Sequence, residues 1–267
     1  MNTSNGFDLF CSNLLKLVQS EPSFAVRTHI PKGGSVYNSG DHDLRIYLVE
    51  VGQIKTTASS TDGKQCLLSI HTRGDTFGEL SLLGMPREET ATAMRDSVVR
   101  RINSAKLLET ICHDEELSWH FNRFLMARLR DQQQTIMQLV TMDSEHRLAA
   151  TLLRLGRKLG RELAGGRQIE ARITQEDLAS MVGTTRSRVG LFLKHFRRAS
   201  LVDQQPGGYL VINEPALVAY LEQGPWQLRL WPTDNSRTVR PPSRAAGHDQ
   251  RVDRRGGDHL AQPARVW

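Results

Sequence analysis

The chain has 267 residues, 39% of them apolar, and a formal net charge of +6, which suits one or two domains with sizeable cores. No stretch approaches the ~20 apolar residues of a membrane span, and the N-terminal MNTSNGFDLF lacks the basic and apolar regions of a secretory signal, so a soluble cytoplasmic protein with no membrane partner is expected. Cys11, Cys66 and Cys112 are too scattered for a disulfide or zinc framework, which fits a reducing compartment.

Phe10, Leu14, Leu15 and Val18 recur at helical spacing and predict a short amphipathic helix ending near Glu21-Pro22, which caps the region C-terminal to it. From Thr28 to about Ser104 the pattern changes to short apolar or alternating runs separated by turn clusters, as in IPKGGSVYNSGD, IYLVEVGQIKT and RGDTFGELSLLG. Such spacing predicts a small antiparallel barrel or jelly roll. Asp62-Gly63 marks a tight hairpin within it.

A long helix is expected from about Glu115 to Asp143, with Leu117, Phe121, Leu125, Leu129, Ile136, Leu139 and Val140 as its apolar stripe. A helix of ~28 residues extends ~42 Å, more than one small roll can cover. A symmetric homodimer is the simplest way to cover the rest, the other being packing on its own domain. Around Met142 to Ser144 the stripe changes phase, which reads as a hinge. A further helix comes next, with Leu148, Leu152, Leu155, Leu159 and Leu163 on one face and a stop at Gly165-Gly166.

The stretch ITQEDLASMVGTTRSRVGLFLKHFRRASL, residues 173–201, carries the clearest signal. Thr174 and Asp177 form a capping box opening a short helix with Leu178 and Val182 on one face, and Gly183 supplies the turn. Thr185 caps a second helix whose Val189, Phe192, Leu193 and Phe196 face inward, with Arg186, Ser187 and Arg188 in its first turn. This is a helix-turn-helix pattern, in which first-turn side chains enter the major groove of double-stranded DNA and an arginine pairs with guanine. Two ordinary core helices with a solvated basic face are the alternative. The cap, the glycine turn, the first-turn arginines and the trailing Lys194, Arg197 and Arg198 together weigh against it. Two short strands around Pro206-Gly207-Gly208 then supply a wing, whose Gln204 and Gln205 are placed to touch phosphate. Arg186 and Arg188 are assigned to bases, and Thr184, Thr185, Lys194 and Arg197 mainly to phosphates.

Residues 225–267 hold five prolines, and eight arginines against four aspartates, so most of the net charge lies there. With little apolar periodicity, an Arg/Pro-rich disordered tail is expected, with Trp226 and Trp231 docking locally or the arginines adding phosphate contacts as alternatives.

Gly52 after YLVEV, the Asp62-Gly63 turn, Gly74-Asp75 and Phe77-Gly78-Glu79-Leu80 come in an order that resembles the cyclic-nucleotide-binding roll of the Crp/Fnr family of bacterial transcription regulators. With the helix-turn-helix behind it, the resemblance spans roughly residues 20–222. It implies an α+β fold: an N-terminal antiparallel β-roll of jelly-roll type, a long dimerisation helix and a C-terminal winged helix-turn-helix. The expected boundaries are 1–114 for the sensory roll, 115–143 for the dimerisation helix and hinge, 144–223 for the DNA-binding domain and 224–267 for the tail. It also implies a homodimer on a palindromic site, RNA polymerase as a partner, and a small-molecule effector that rotates the winged helices about Asp143.

For that effector the resemblance assigns Gly78, Glu79 and Leu80: backbone amides to a phosphate and the carboxylate to a ribose hydroxyl. An arginine on the phosphate followed by serine or threonine is also part of the pattern. PREETATA offers Arg87 and Thr90, yet the gapless family register places Glu89 at the arginine's position, and a carboxylate repels phosphate. The long-helix residues that reach the base correspond to Gln132 and Gln133. An iron-sulfur cluster needs about four cysteines, so none is expected, and a haem would have to draw its axial ligand from His71, Cys66, His113 or His120. The effector therefore remains unassigned: a cyclic nucleotide, another small molecule, or none. The rival function is a cyclic-nucleotide-binding subunit controlling a partner enzyme, which would have no use for the winged helix of residues 173–212. The chain contains no Walker loop, GxSxG or HExxH, so no catalytic role is expected.

Overall fold

Alternation along Arg45–Val51 organises the N-terminal half. Ile46 and Leu48 join one apolar cluster while Tyr47 and Val49 join another, because successive side chains of a strand point to opposite faces. The computed structural model describes residues 6–163 and 165–223. In it, β1 (Ala25–Ile30), β2 (Ser35–Tyr37), β3 (Arg45–Val51), β4 (Gln53–Ser59), β5 (Gln65–Thr72), β6 (Thr76–Phe77), β7 (Thr90–Ala93) and β8 (Ser97–Asn103) build a roll of two antiparallel four-stranded sheets, ordered β1-β8-β3-β6 and β2-β7-β4-β5. Tyr37, Tyr47, Val49, Ile54, Phe77 and Val99 fill the space between them.

The outer face of the first sheet is covered by α1 (Gly6–Ser20), α2 (Ser104–His113) and the start of α3 (Glu115–Thr141). Phe10, Leu14 and Val18 are buried there, and the Phe10 ring centroid lies 5.1 Å from those of Phe121 and Phe124. Helix α2 was not expected from the sequence; Asn103 caps it by accepting hydrogen bonds from the Ala105 and Lys106 amides. Along α3 the apolar stripe divides. Leu117, Phe121 and Phe124 are buried on the roll, whereas Leu129, Ile136, Leu139 and Val140 are exposed, Val140 to 81%.

Helix α3 stops at Met142, and Asp143 caps α4 (Ser144–Leu159) through the Glu145 and His146 amides, so the phase change read from sequence is a helix-to-helix junction. The extension of that second helix to Leu163 is corrected. The chain turns extended at Gly160 and forms β9 (Gly160–Leu163) and β10 (Gly166–Ile169), which pair with each other. The cause is tertiary. Strand β10 also pairs with β12 (Leu210–Ile212), closing a four-stranded sheet ordered β11-β12-β10-β9 with β11 (Val202–Gln204). Gly166 permits the approach: a Cβ there would run into the Ile212 carbonyl oxygen.

Helix α5 (Gln175–Val182), α6 (Arg186–Arg198) and α7 (Glu214–Glu222) complete the C-terminal half. Leu148, Leu152, Leu178, Val189, Phe196, Ile212 and Leu217 form its core, and Leu67 and Ile70 of β5 belong to the same cluster. The roll thus packs directly on α5. Among the described residues no helix is long and apolar enough to cross a membrane. The tail expected at 224–267, with Trp226 and Trp231, lies outside the described residues.

Candidate functional site

The two helices of the 173–201 stretch are fixed by caps visible in the sequence. The Thr174 hydroxyl accepts from the Asp177 amide at 3.0 Å while the Asp177 carboxylate accepts from the Thr174 amide at 3.1 Å, closing the capping box of α5. Gly183, at φ +70°, ends α5 in the left-handed conformation that favours glycine. Thr185 then caps α6, its hydroxyl accepting from the Arg188 amide.

Val189, Phe192, Leu193 and Phe196 seat α6 in the core, so the opposite face is left outward: Arg186, Ser187, Arg188, Leu191, Lys194, His195, Arg197 and Arg198 are exposed, and Thr184 is partly so. The cations differ in their commitments. Arg186 and Lys194 make no protein hydrogen bond or ion pair among the described residues. The Arg188 guanidinium lies 5.6 Å from the Phe192 ring centroid, within cation–π range. Arg197 donates to the Gln204 side-chain oxygen at 3.1 Å and to the Leu193 carbonyl at 3.3 Å, bracing the first wing strand against α6. Arg172 donates to the Gly207 carbonyl at 2.7 Å and holds the wing tip. Leu191, His195 and Arg172 were not singled out from sequence; helical spacing places the first two on the outward face, while nothing local marks Arg172.

At one end of the roll, Gly78 at φ +81° leads into a 3-10 turn, Glu79–Leu83, with Leu80 exposed. Arg87 does not point its guanidinium outward. Its side chain is 3% exposed. It donates to the carbonyls of Gly78, at 2.8 Å, and of Arg45, lies 3.4 Å from the Asp43 carboxylate, and stacks 4.1 Å from the Tyr37 ring centroid. Gly78 is required here twice, by its positive φ and because a Cβ would sit 2.9 Å from the Arg87 Nη1.

Glu89 accepts a 2.6 Å hydrogen bond from the Tyr37 hydroxyl. Burial, reinforced by the Glu79 charge, pushes its carboxyl above the usual range against the opposing Tyr37 hydrogen bond and the Arg87 and Arg128 charges. The Glu79 carboxylate is 3.2 Å from the Arg128 Nε, and Arg128 also donates to the Thr76 carbonyl at 2.8 Å. The Thr90 hydroxyl accepts from the Ser39 amide. Gln132 and Gln133 are exposed on α3, one turn beyond Arg128. Arg128 and Tyr37 were missed from sequence; Arg128 stands four residues before Gln132, at a spacing that could have pointed to it. Of the haem-ligand candidates, His71 is fully enclosed, stacked 5.1 Å from the Phe77 ring centroid.

Residues 27–114 match the cyclic nucleotide-binding domain, and residues 146–220 match the Crp-like helix-turn-helix domain. A CRP-like cAMP-activated global transcriptional regulator of Mycobacterium tuberculosis is 30% identical over 188 residues, covering 70% of this chain and 84% of that protein. The chain belongs to the Crp/Fnr family of transcription regulators. An anaerobic regulatory protein of Bacillus subtilis is 27% identical over 209 residues, covering 78% of this chain and 87% of the relative.

Solved structures share the fold as well. A CooA mutant from Carboxydothermus hydrogenoformans has a TM-score of 0.67 at 20% identity, covering 83% of this chain and 97% of its own. FixK2 from Bradyrhizobium japonicum has a TM-score of 0.63 at 20% identity, covering 73% and 96%. The α+β architecture expected from the sequence, with roll, long helix and winged helix-turn-helix, is that of the Crp/Fnr regulators. The enzyme-subunit alternative is not favoured, since the second matched domain is a DNA-binding one.

Proposed function

We propose that this Crp/Fnr chain acts as a homodimer that binds a palindromic double-stranded DNA site through α6. The observation that carries this is the outward first turn of α6, where Thr185 fixes the helix start and Arg186 stands exposed, without a protein partner among the described residues. A side chain there reaches base edges when the helix N-terminus enters the major groove, and arginine pairs bidentately with guanine. Arg186 and Arg188 read bases. Thr184, Thr185, Ser187, Lys194 and Arg197 hold the phosphate backbone, joined by the wing.

Dimerisation is supported by the exposed half of α3, where Leu129, Ile136, Leu139 and Val140 make an apolar stripe that the roll leaves uncovered. Two-fold symmetry then sets the half-site centres about one helical turn apart. In this reading residues 1–114 are the sensory roll, 115–143 the dimerisation helix and hinge, and 144–223 the DNA-binding domain. RNA polymerase is the partner on DNA and the cytoplasm the place of action. An effector acts by favouring one of two arrangements about the Met142–Asp143 junction.

The test is selection of binding sites from a random duplex pool, followed by competition between the selected site and random duplex. A palindrome is expected, and Arg186→Ala is expected to lose roughly 1–3 kcal/mol of discrimination at one position in each half-site. Sites without symmetry would remove the dimer, and undiminished discrimination in the variant would remove the role given to Arg186.

A further inference from the structure

A cyclic nucleotide is the ligand that the roll's matched domain implies, and the residues present do not fit it. We infer that the charged groups at the Gly78-Glu79 turn are paired with one another within the chain, that the roll therefore does not take a cyclic nucleotide, and that DNA binding by this protein does not require one. The first half stands on the roll alone; the second rests on the DNA-binding reading above.

A cyclic phosphate needs a donor-rich, cationic seat. Arg87 is the one arginine that PREETATA supplies, and both of its Nη atoms are already committed, while its buried Nε has no hydrogen-bond partner among the described residues. Two carbonyls, of Gly78 and Arg45, accept its hydrogen bonds, Asp43 balances its charge, and Tyr37 covers its face. Drawing it toward a phosphate would break both hydrogen bonds in a buried site, leaving the Gly78 carbonyl with the Ser81 amide, the Arg45 carbonyl with the Ser81 hydroxyl and Asp43 with Arg45, and the bonds lost would oppose the movement.

At the position that the family register gives to the phosphate-binding arginine stands Glu89. Its carboxylate is held in place by the Tyr37 hydroxyl at 2.6 Å and lies close enough to Glu79 for the two charges to influence each other. A phosphate there would face the Glu89 and Glu79 carboxyl groups in a half-buried site, where charges interact more strongly than in water. The nearby Arg87 and Arg128 are already paired with Asp43 and Glu79.

The ribose position is taken as well. The Glu79 carboxylate, which would accept a ribose hydroxyl, pairs instead with Arg128 of α3 at 3.2 Å, and Arg128 also holds the Thr76 carbonyl. This pair ties the turn to the long helix from within the chain.

The experiment is isothermal titration of the full-length protein with cyclic AMP and with cyclic GMP, alongside fluorescence anisotropy on the selected DNA site with and without about 1 mM of each nucleotide. No saturable heat is expected. The Kd for DNA is expected to change by less than about twofold, well short of the roughly 5- to 150-fold coupling usual for an effector. Saturable nucleotide heat overturns the first half whatever the DNA result. DNA affinity that appears only with nucleotide overturns the second while leaving the DNA-binding reading intact. Absence of DNA binding in both conditions, with no nucleotide heat, supports the first half and overturns the DNA-binding reading instead. The Glu89→Gln variant keeps a partner for Tyr37 and removes the charge. It too is expected to give no heat, because Arg87 stays committed; heat in this variant would overturn the role assigned to Arg87.

Discussion

The Lys55 ammonium lies 2.8 Å from the Asp177 carboxylate, joining β4 of the roll to α5 of the winged helix across 122 residues of sequence. The same carboxylate closes the α5 capping box with Thr174. Around it, the Leu67 amide donates to the Ser180 hydroxyl at 2.8 Å, and Leu67 and Ile70 enter the winged-helix core. The start of the helix-turn-helix is therefore anchored on the roll.

Lys55→Met is expected to destabilise the protein by about 0.5–1.5 kcal/mol at neutral pH, between the values for an exposed pair and a buried one, since the two side chains are 31% and 12% exposed. Burial alone would raise the Asp177 carboxyl, but the Lys55 and Thr174 hydrogen bonds and the Lys55 charge hold it below the usual carboxylate range. A group whose folded value is depressed stabilises above its unfolded value, about 3.9, and loses that contribution as pH falls through the folded one. The difference between wild type and variant should therefore shrink in acid. Urea denaturation of both proteins and of Asp177→Asn, arranged as a double-mutant cycle, measures it; simple additivity would mean the pair contributes nothing.

His71 gives a pH effect at higher values. Complete burial, with the charges of Lys158 and Arg128, lowers its imidazole well below the ordinary histidine value, and its Nδ1 has no hydrogen-bond partner among the described residues. Below about pH 6.5 the unfolded chain takes up a proton that the folded chain refuses, so stability falls as pH drops, by about 1.4 kcal/mol per pH unit until the folded value is reached. Between pH 7.5 and 5.5, wild type should lose on the order of 1 kcal/mol more than His71→Gln. Equal losses in guanidinium denaturation would show that the folded protein protonates His71 readily.

What the sequence disclosed and what it hid divide along the range of the interactions. Thr174, Asp177, Gly183 and Thr185 act on amides within a few residues, so the helix-turn-helix can be read from the chain alone. The β9–β10 hairpin could not: Leu163 comes four residues after Leu159, at helical spacing, and looks like another turn of α4, while the pairing with β12 that makes the segment a strand comes from residues 211 and 212. Arg87 is the same case. Its local sequence reads as a phosphate ligand, and the groups that enclose it, Tyr37, Asp43 and Arg45, lie more than forty residues earlier.

Gly52 tests the turn between β3 and β4. At φ +100° a side chain is strained, and a Cβ would run into the Ser97 Oγ and lie 2.6 Å from the Ser97 Cα, where backbone has to move. Gly52→Ala is expected to cost at least about 2–3 kcal/mol, seen as a lowered Tm. A loss below about 0.5 kcal/mol would mean that the β3–β4 turn adapts freely.

In the proposed DNA-binding mode, Lys194 and Arg197 separate phosphate binding from wing support. Removing one cation from the phosphate backbone reduces the slope of log Kd against log salt by about 0.9, with sequence preference unchanged. Lys194 is exposed and makes no hydrogen bond or ion pair among the described residues, so Lys194→Ala should do only that. Arg197 also braces β11 through Gln204 at 3.1 Å, so Arg197→Ala should reduce the slope by a similar amount and loosen the wing as well. Gln204→Ala removes the brace and keeps the charge. It should reproduce the wing effect, read as faster amide hydrogen exchange in β11 and β12, and leave most of the salt slope in place. If instead Gln204→Ala lowers the slope as much as Arg197→Ala, the arginine acts by holding the wing on the backbone, and its own pairing with phosphate is refuted.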